Sequence, residues 1–506
     1  VNVELQVVGA ALRAVAEEMG AALVRSAFSA NIKERRDCST AIFDRAGRMV
    51  AQAEHIPVHL GALPEAVAAA AALAPGAGEV VILNDPYAGG THLPDVTLVS
   101  RTPLGWAATR AHHADVGGAE PGSLPAGSRT LAEEGVVIPP TVLDDRLLDR
   151  LVGRMRNPEE RRGDLRAQLA ANRLAGRRLA ELERRYGAGR LEAAVEELLA
   201  YSERRVRAGI AAVPDGRYEA AAALEAPGGP LVLRAAVTVR GDGLEVDFAG
   251  TSPQHGGNLN CPLAVARSAA YFVVRCLTDP DVPASGGAFA PVTVRAPEGC
   301  LVAARAPAAV AAGNVETSSR IVDLLFDALG QAVAVPAQGQ GTMNNVVLGN
   351  ERFTYYETLA GGQGACPDAD GPAAVHVAMS NTLNTPVEAL ELEFPLRVTE
   401  YAIRRGSGGA GTQRGGDGVI REVEALAEMQ YSVLAERRRH APRGAAGGAP
   451  GSPGRTLVDG AEIGPKAVGT MRPGSRLRVE TPGGGGHGAA AERADAPKPW
   501  FGGAVG

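Results

Sequence analysis

Glycine, more than any other residue, limits what this chain can fold into. The 64 glycines and 34 prolines together make up about 19% of the 506 residues, against roughly 12% in an average protein. Glycine runs occur at 361–364, 406–418 and 483–486. Such runs are typical of tight turns between sheet strands, although their backbone amides could also line a bound anion. Residues 406–411 match the spacing GxGxxG, but more glycine follows instead of a helix, so a dinucleotide fingerprint is not predicted.

Charge and composition exclude several classes of protein. The net charge is −6 and only 4% of residues are aromatic, which argues against a nucleic-acid partner. The chain has only three lysines, none in a phosphate loop, so a P-loop NTPase is excluded. Its five cysteines form no CxxC pair and predict neither a disulfide framework nor a zinc knuckle. Without a signal-like segment or an 18-residue apolar run, we expect a cytoplasmic protein that does not contact a membrane.

Hydrophobic periodicity predicts both helices and strands. Helices are expected at 5–30, 258–277 and 315–335, a hairpin at 40–51, and strands at 80–83, 96–100, 231–239 and 244–248. Asn157 and Pro158 are typical of a helix start and precede a helical hairpin broken at 187–189. The fold class is therefore α+β or mixed α/β, with several mixed-sheet subdomains. The expected divisions are an N-terminal α/β region with a candidate metal site (1–145), the helical hairpin (146–212), a mixed α/β substrate region (213–400), and a Gly-rich β region with a mobile tail (401–506).

Histidine and aspartate concentrate in two short segments. His92 stands three residues before Asp95, and His112 and His113 closely precede Asp115. Imidazole with carboxylate suits Zn, Mn or Fe, and the absence of cysteine indicates an open, catalytic site. The alternative is that these histidines form hydrogen bonds in loops near strand ends. Because the two neighbouring histidines would point in opposite directions along a strand, only one of them can share an ion.

Two further groups have less specific patterns. His55 and His59 are four residues apart, but Pro57 between them makes a helix unfavourable. A structural or substrate-lining role is therefore expected for this pair. Cys38 follows two arginines and Asp37, and a buried, inert thiol is expected there.

Several separate segments resemble the hydantoinase B/oxoprolinase family. That family includes N-methylhydantoinase B-type subunits, the C-terminal half of 5-oxoprolinase, and subunits of acetone and acetophenone carboxylases. The resemblance extends over nearly the whole chain, and the segments that carry it are 32–39, 84–95, 111–118, 168–172, 312–318, 381–388 and 405–418.

The resemblance implies an ATP-dependent enzyme of two components in a hetero-oligomer. A partner A-type subunit would bind ATP and phosphorylate a cyclic amide, and this chain would open the ring at a divalent transition metal. Carried over, the implied metal ligands are His92, Asp95 and His113, with Asp37 as a fourth. His112 and Asp115 are implied as catalytic residues, and His59, Asn381 and Glu388 as substrate-binding residues. The alternatives are a subunit of an ATP-dependent ketone carboxylase and a non-catalytic scaffold subunit.

Overall fold

The protein is described here by a computed structural model that covers residues 3–54 and 56–490. His55 and the expected tail beyond residue 490 lie outside these residues. The helices are α1 Val3–Ser26, α2 Ala30–Lys33, α3 Leu63–Ala72, α4 Leu131–Glu134, α5 Asp145–Val152, α6 Pro158–Tyr186, α7 Ala188–Ile210, α8 Leu263–Thr278, α9 Gly286–Phe289, α10 Ser318–Leu329 and α11 Val387–Glu393. Single 3₁₀ turns occur at Pro57–His59 and Pro121–Ser123, and a π-helical turn at Gly313–Thr317.

The strands form four sheets. They are β1 Cys38–Asp44, β2 Met49–Glu54, β3 Val80–Leu83, β4 Asp95–Arg101, β5 Gly105–His112, β6 Thr141–Val142, β7 Gly216–Ala226, β8 Gly229–Arg240, β9 Gly243–Asp247, β10 Val292–Arg295, β11 Asn345–Gly349, β12 Thr354–Thr358, β13 Leu396–Arg404, β14 Gly418–Ala425, β15 Met429–Leu434, β16 Arg455–Val458, β17 Ala461–Ile463, β18 Lys466–Met471 and β19 Arg476–Glu480. The sheet orders are β2-β1-β5-β4-β3-β6, β10-β9-β8-β7, β12-β11-β15-β18 and β13-β14-β19-β16-β17. The predicted α+β class is confirmed.

Helices α1 and α6 cover one face of the six-stranded sheet. Apolar residues of α1 at spacings of three and four lie on one side of the helix and are all buried. They are Leu5, Val8, Leu12, Val15, Met19 and Leu23. Two amides of α6 bond to strand β4: Gln168 Nε2 donates to the Val96 carbonyl (3.0 Å) and Asn172 Nδ2 to the Leu98 carbonyl (3.1 Å). These bonds fix the helix to the strand that begins at Asp95.

Three helices differ from their predicted bounds. The helix predicted at 5–30 ends at Ser26, and a separate short helix begins at Ala30. The helix predicted at 258–277 begins only at Leu263, because Asn258 and Asn260 bind the carbonyls of Pro125 (2.7 Å) and Ala309 (3.0 Å). The helix predicted at 315–335 ends at Leu329 and is preceded by the π-helical turn. Within the described residues, no helix is long and apolar enough to cross a membrane.

The glycine runs pack side by side, and the run at 406–418 also connects the paired strands β13 and β14. We call residues 361–365, 407–418, 443–451 and 482–488 the glycine stack. A Cβ atom built on Gly483, Gly484, Gly485 or Gly486 would lie only 2.0–2.2 Å from a backbone oxygen, belonging respectively to Ser407, Gln363, Arg443 and Ala410. Gly483 and Gly486, three residues apart, both face the segment 407–418. Three residues is also the length of one turn of a polyproline II helix. Backbone hydrogen bonds join the segments, for example Gly484 N to the Gly416 carbonyl (2.9 Å).

Candidate metal centre

Two histidines and an aspartate meet at one end of the six-stranded sheet. Asp95 is the first residue of β4 and lies directly opposite His112, the last residue of the antiparallel strand β5. His92 belongs to the loop that enters β4. Asp95 Oδ1 lies 3.1 Å from His92 Nε2 and 3.2 Å from His112 Nδ1. All three side chains are buried, and each offers an atom within 4.8 Å of the others.

The second oxygen of Asp95 is held from the opposite side. Thr91 Oγ1 donates to Oδ2 at 2.7 Å, and His59 Nε2 lies 3.4 Å from the same atom. His59 Nδ1 is in turn 2.9 Å from the Ser39 hydroxyl. Burial alone would raise the pKa of Asp95, but the charges of His92 and His59, with the hydrogen bond from His112, hold it well below its usual value. Asp95 is therefore a fixed carboxylate.

The donor set fits a divalent transition metal. Neither nitrogen of His92 makes a hydrogen bond within the protein, and Nε2 of His112 makes none either. Buried polar atoms are nearly always paired, so unpaired imidazole nitrogens beside a carboxylate indicate metal ligands. Two imidazoles and one carboxylate suit Zn, Mn or Fe and leave coordination positions open for substrate and water. Among the residues that the structure describes, no second group of this kind occurs.

An aromatic ring and an arginine form one wall of the site. The ring of Tyr356 in β12 stacks on His112, with centroids 4.7 Å apart. The guanidinium of Arg35 lies 4.6 Å from the same ring and donates to the Thr358 hydroxyl at 2.6 Å. Arg35 is fully buried and lies 3.4 Å from the Glu357 carboxylate. Strand β12 of the third sheet is thereby attached to the metal centre of the first.

The cavity at the centre is very small. Its volume is about 20 Å³, enough for an ion or a water molecule but not for a cyclic substrate. Asn314, from the π-helical turn, lines it and is 2% exposed, and its Oδ1 makes no hydrogen bond within the protein. Turns of this kind are often found at functional sites. Asn314 is therefore placed to contact whatever binds beside the metal ligands.

His113 and Asp115 lie apart from the group of His92, Asp95 and His112. The expected opposite directions of His112 and His113 are observed, but it is His112 that faces Asp95. His113 Nε2 is 3.0 Å from Gln168 Oε1 of helix α6, and burial lowers the pKa of His113 to about 4. Asp115 accepts hydrogen bonds from the amides of Gly117 (2.6 Å) and Gly122 (2.7 Å), so it fixes a loop and contacts no metal-site histidine in the structure.

Of the other expected residues, some line the small cavity and some lie outside it. Asp37 lines the small cavity, but it is outside the group of three candidate ligands. His59 supports Asp95, as described above. Asn381 lines a neighbouring larger pocket, and Glu388 is exposed in the first turn of α11. Cys38 is buried, and burial with the nearby Asp37 raises the pKa of its thiol, as expected for an inert group.

Sequence reasoning assigned no role to Asn314 or Tyr356. Asn314 lies within a segment that carries the family resemblance, and that was the available signal. No sequence signal pointed to Tyr356, because its position depends on the packing of β12 against β5, more than two hundred residues away.

A family model, curated relatives and solved structures each match nearly the full length of this chain. The family model described as hydantoinase B/oxoprolinase matches residues 2–490. An uncharacterized protein of Methanocaldococcus jannaschii is 37% identical, over 97% of this chain and 91% of its own length. A putative B-type subunit of a D-/L-hydantoinase from a Pseudomonas strain is 32% identical, over 97% of this chain and 90% of its own. 5-Oxoprolinase 1 of Arabidopsis thaliana is 35% identical over 96% of this chain, which spans only 42% of that relative's length.

Two solved structures share the fold. An ATP-dependent caprolactamase from Pseudomonas jessenii superposes with a TM-score of 0.90 at 28% identity, over 97% of this chain and 91% of that one. An acetone carboxylase structure gives a TM-score of 0.84 at 18% identity, over 96% of this chain and 75% of that one, and shows similarity of fold alone. By its sequence matches and its fold, this chain belongs to the hydantoinase B/oxoprolinase family.

Proposed function

We propose that this chain is the metal-holding B-type component of an ATP-dependent hydrolase that opens cyclic amides. The buried group of His92, Asp95 and His112, with its unpaired imidazole nitrogens, is the observation that carries the proposal. A divalent ion bound there would lower the pKa of water and polarise the carbon under attack. One relative is named as a caprolactamase and another as a putative hydantoinase subunit; caprolactam and hydantoin are cyclic amides, which supports this substrate class.

The protein residues divide the work at this site. His92, Asp95 and His112 would hold the ion, and His59 with Thr91 would fix the orientation of Asp95. Orienting groups of this kind are typical of metal sites, where they set the geometry of the ligands. Asn314 would position the reacting group, because it lines the cavity and its side-chain oxygen has no hydrogen-bond partner within the protein.

ATP use belongs to a partner in this proposal. The chain has no phosphate loop, and one relative is named as the B-type subunit of a hydantoinase. We infer that an A-type subunit phosphorylates the cyclic amide and that this chain completes the ring opening within a hetero-oligomer.

The test measures metal content and turnover on the same variants, co-expressed with an A-type subunit. We expect His92→Ala and Asp95→Ala to lose both the metal and ATP-dependent turnover. Asn314→Ala should keep the metal but lose turnover by about 100-fold, as when a group that stabilises the reacting centre is removed. The matched control is His113→Gln, which should keep both, because His113 faces helix α6. Full metal content in His92→Ala and Asp95→Ala would contradict the assignment of these residues as metal ligands. Full turnover by the same two variants would support a scaffold role for this chain.

A ketone carboxylase is the second candidate, because the acetone carboxylase structure shares the fold over 96% of this chain. The assay therefore compares hydantoin, 5-oxoproline, uncharged lactams and small ketones, each with and without bicarbonate. Bicarbonate-dependent consumption of a ketone, without amide hydrolysis, would replace the proposed hydrolase by a carboxylase.

A further inference from the structure

The π-helical turn that carries Asn314 belongs to a longer helical stretch. Residues 311–312 are α-helical, the turn follows at Gly313–Thr317, and α10 continues from it to Leu329. The first amides of a helix find no acceptor within the helix itself. The amides of residues 310 and 311 therefore need an acceptor from another part of the protein or from water.

That acceptor is the carboxylate of Glu134. The Ala311 amide donates to its Oε1 at 2.9 Å, and the Val310 amide lies 3.1 Å from both of its oxygens. Glu134 is the last residue of α4, lies 176 residues before Val310 in the chain, and is completely buried. A charged acceptor binds backbone amides more strongly than a neutral one. Glu134 thus fixes the start of the helical stretch.

Glu134 is itself held in place. The Ser128 hydroxyl donates to its Oε1 at 2.9 Å. A Cβ atom built on Gly118, which has φ 100°, would lie 2.8 Å from the carbonyl carbon of Glu134. Only glycine allows two backbone segments to approach so closely in this conformation. Both the side chain and the backbone of Glu134 are therefore fixed.

The π-helical turn is also fixed by the loop that precedes α8. The Gly313 amide donates to the Asn258 carbonyl at 2.9 Å, and a Cβ atom built on Gly313 would lie 1.8 Å from the Asn260 carbonyl oxygen. The backbone before Asn314 therefore has no room to move toward this loop. The position of Asn314 then depends on how the chain enters the turn, which is through residues 310–311.

We propose that Glu134 is a positioning residue: by binding the amides of residues 310–311, it sets where Asn314 lies in the metal cavity. Glu134 does not line that cavity and is not one of the three candidate ligands, so it would act on the reacting group only through Asn314. The proposal rests on the proposed function, which gives Asn314 its role. The alternatives are that Glu134 only stabilises the fold, or that its charge acts on His92.

A double-mutant cycle on turnover, with an A-type subunit co-expressed, tests the connection to Asn314. Glu134→Gln keeps the size of the side chain and removes its charge, and we expect kcat to fall about tenfold with the metal content unchanged. In the Asn314→Ala background the same change should lower kcat by less than about twofold, because the residue through which Glu134 acts is already gone. The same loss in both backgrounds would overturn the proposal.

Glu134→Asp separates position from charge. Aspartate keeps the negative charge but is one methylene group shorter, so we expect the same loss of kcat as for Glu134→Gln. Full turnover by this variant would show that charge alone matters and would overturn the proposal. The matched control is Glu133→Gln, because the Glu133 carboxylate accepts from the Thr130 hydroxyl (2.9 Å) and the Arg129 amide (3.0 Å) at the start of α4. This control should keep kcat.

Hydrogen exchange of the full chain tests the contact without substrate or partner. Burial raises the pKa of Glu134 to about 7, against the hydrogen bonds from Ala311 and Val310, so exchange is measured at pH 8. We expect the amides of residues 310–317 to exchange at least about tenfold faster in Glu134→Gln, while Glu133→Gln matches the unsubstituted chain. If Glu134→Gln does not fold, Glu134→Asp takes its place. Unchanged protection of this segment would overturn the proposal.

Metal content and turnover of the unsubstituted chain separate this proposal from the proposed function. A chain that binds no metal, or that shows no turnover with an A-type subunit, contradicts the proposed function, and hydrogen exchange then decides the role of Glu134 by itself. A chain that binds metal and turns over, with kcat unchanged in Glu134→Gln, contradicts the role of Glu134 alone.

Discussion

Glu316 is a fully buried carboxyl group in the same π-helical turn as Asn314. Its Oε1 accepts a hydrogen bond from the Met343 amide (3.2 Å), and its Oε2 has no partner within the protein. Burial and the charge of Glu436 raise the pKa of Glu316 to about 7, although Lys466 opposes this. In the unfolded chain, a glutamate has a pKa of about 4.3. Folding thus favours the protonated form.

This carboxyl group should make stability depend on pH with a definite sign. Between about pH 4.5 and 7, the folded state holds a proton that the unfolded state releases, so the free energy of unfolding falls as pH rises. Glu316→Gln removes that dependence and keeps an oxygen for the Met343 amide. Above pH 7 the variant should be more stable by up to about 3 kcal/mol, and near pH 4.5 it should match the unsubstituted protein. Urea unfolding at pH 5, 6, 7 and 8 measures the difference; a constant difference at all four values would contradict the assignment.

The choice between His112 and His113 shows what remains undetermined from sequence at the scale of one residue. Strand geometry predicts that the two side chains point to opposite faces. Which face carries the ligands depends on how β5 pairs with β4 and on the position of helix α6. Those contacts are formed by residues distant in sequence, so the resemblance indicates the segment but does not decide which of the two histidines is the candidate ligand.

At the scale of elements, periodicity and capping residues predicted much of the secondary structure. The bounds of α6 and the break before α7 agree with Asn157, Pro158 and Gly187, because the signals that start and stop a helix are local. The sequence predicts turns for the glycine runs at 361–364, 406–418 and 483–486, and no role for the stack segment 443–451. The segments of the glycine stack lie side by side through contacts between stretches as distant as residues 363 and 484, which no local pattern encodes.

Two alanine substitutions should show opposite effects in two different elements. In the glycine stack, a Cβ on Gly484 would lie 2.0 Å from the Gln363 carbonyl oxygen, so backbone must move. Gly484→Ala should lower the free energy of unfolding by about 3 kcal/mol or prevent folding. Gly176 lies inside helix α6 with open space around its Cβ position. Gly176→Ala should raise stability by about 1 kcal/mol, since alanine favours the helix.

Thermal and chemical unfolding of both variants, beside the unsubstituted chain, measure these changes. A Gly484→Ala chain with unchanged stability would show that the stack tolerates side chains. A destabilised Gly176→Ala chain would instead contradict the described helix surface.

At the scale of the whole molecule, the metal centre joins parts of the chain that are far apart. The first sheet and the loop before β4 supply the candidate ligands, the π-helical turn supplies Asn314, and β12 with Ser380 and Thr382 completes the walls. No short fragment contains this set. The sequence predicts a metal site at residues 92–95, but the surrounding wall arises only when the sheets pack together.

ATP hydrolysis should depend on a second subunit. The chain lacks a phosphate loop, and the proposed chemistry at the metal centre begins only after phosphorylation. We expect the purified chain to show no ATPase activity above background, and addition of an A-type subunit with substrate to produce it. Substantial ATPase activity in the pure chain, at the same level in the His92→Ala variant, would contradict this division of labour.

The glycine stack also has a genetic consequence. Every amino acid other than glycine carries a Cβ, so each missense change in a codon for Gly483–Gly486 adds an atom where a carbonyl oxygen already lies about 2 Å away. These codons can vary only by synonymous substitution without disturbing the backbone. In a saturation library selected for soluble protein, the four segments of the stack should be depleted of missense variants at their glycines. None of these segments contributes a side chain to the candidate metal centre. Inherited loss of activity in a protein built this way would therefore often map far from its catalytic residues.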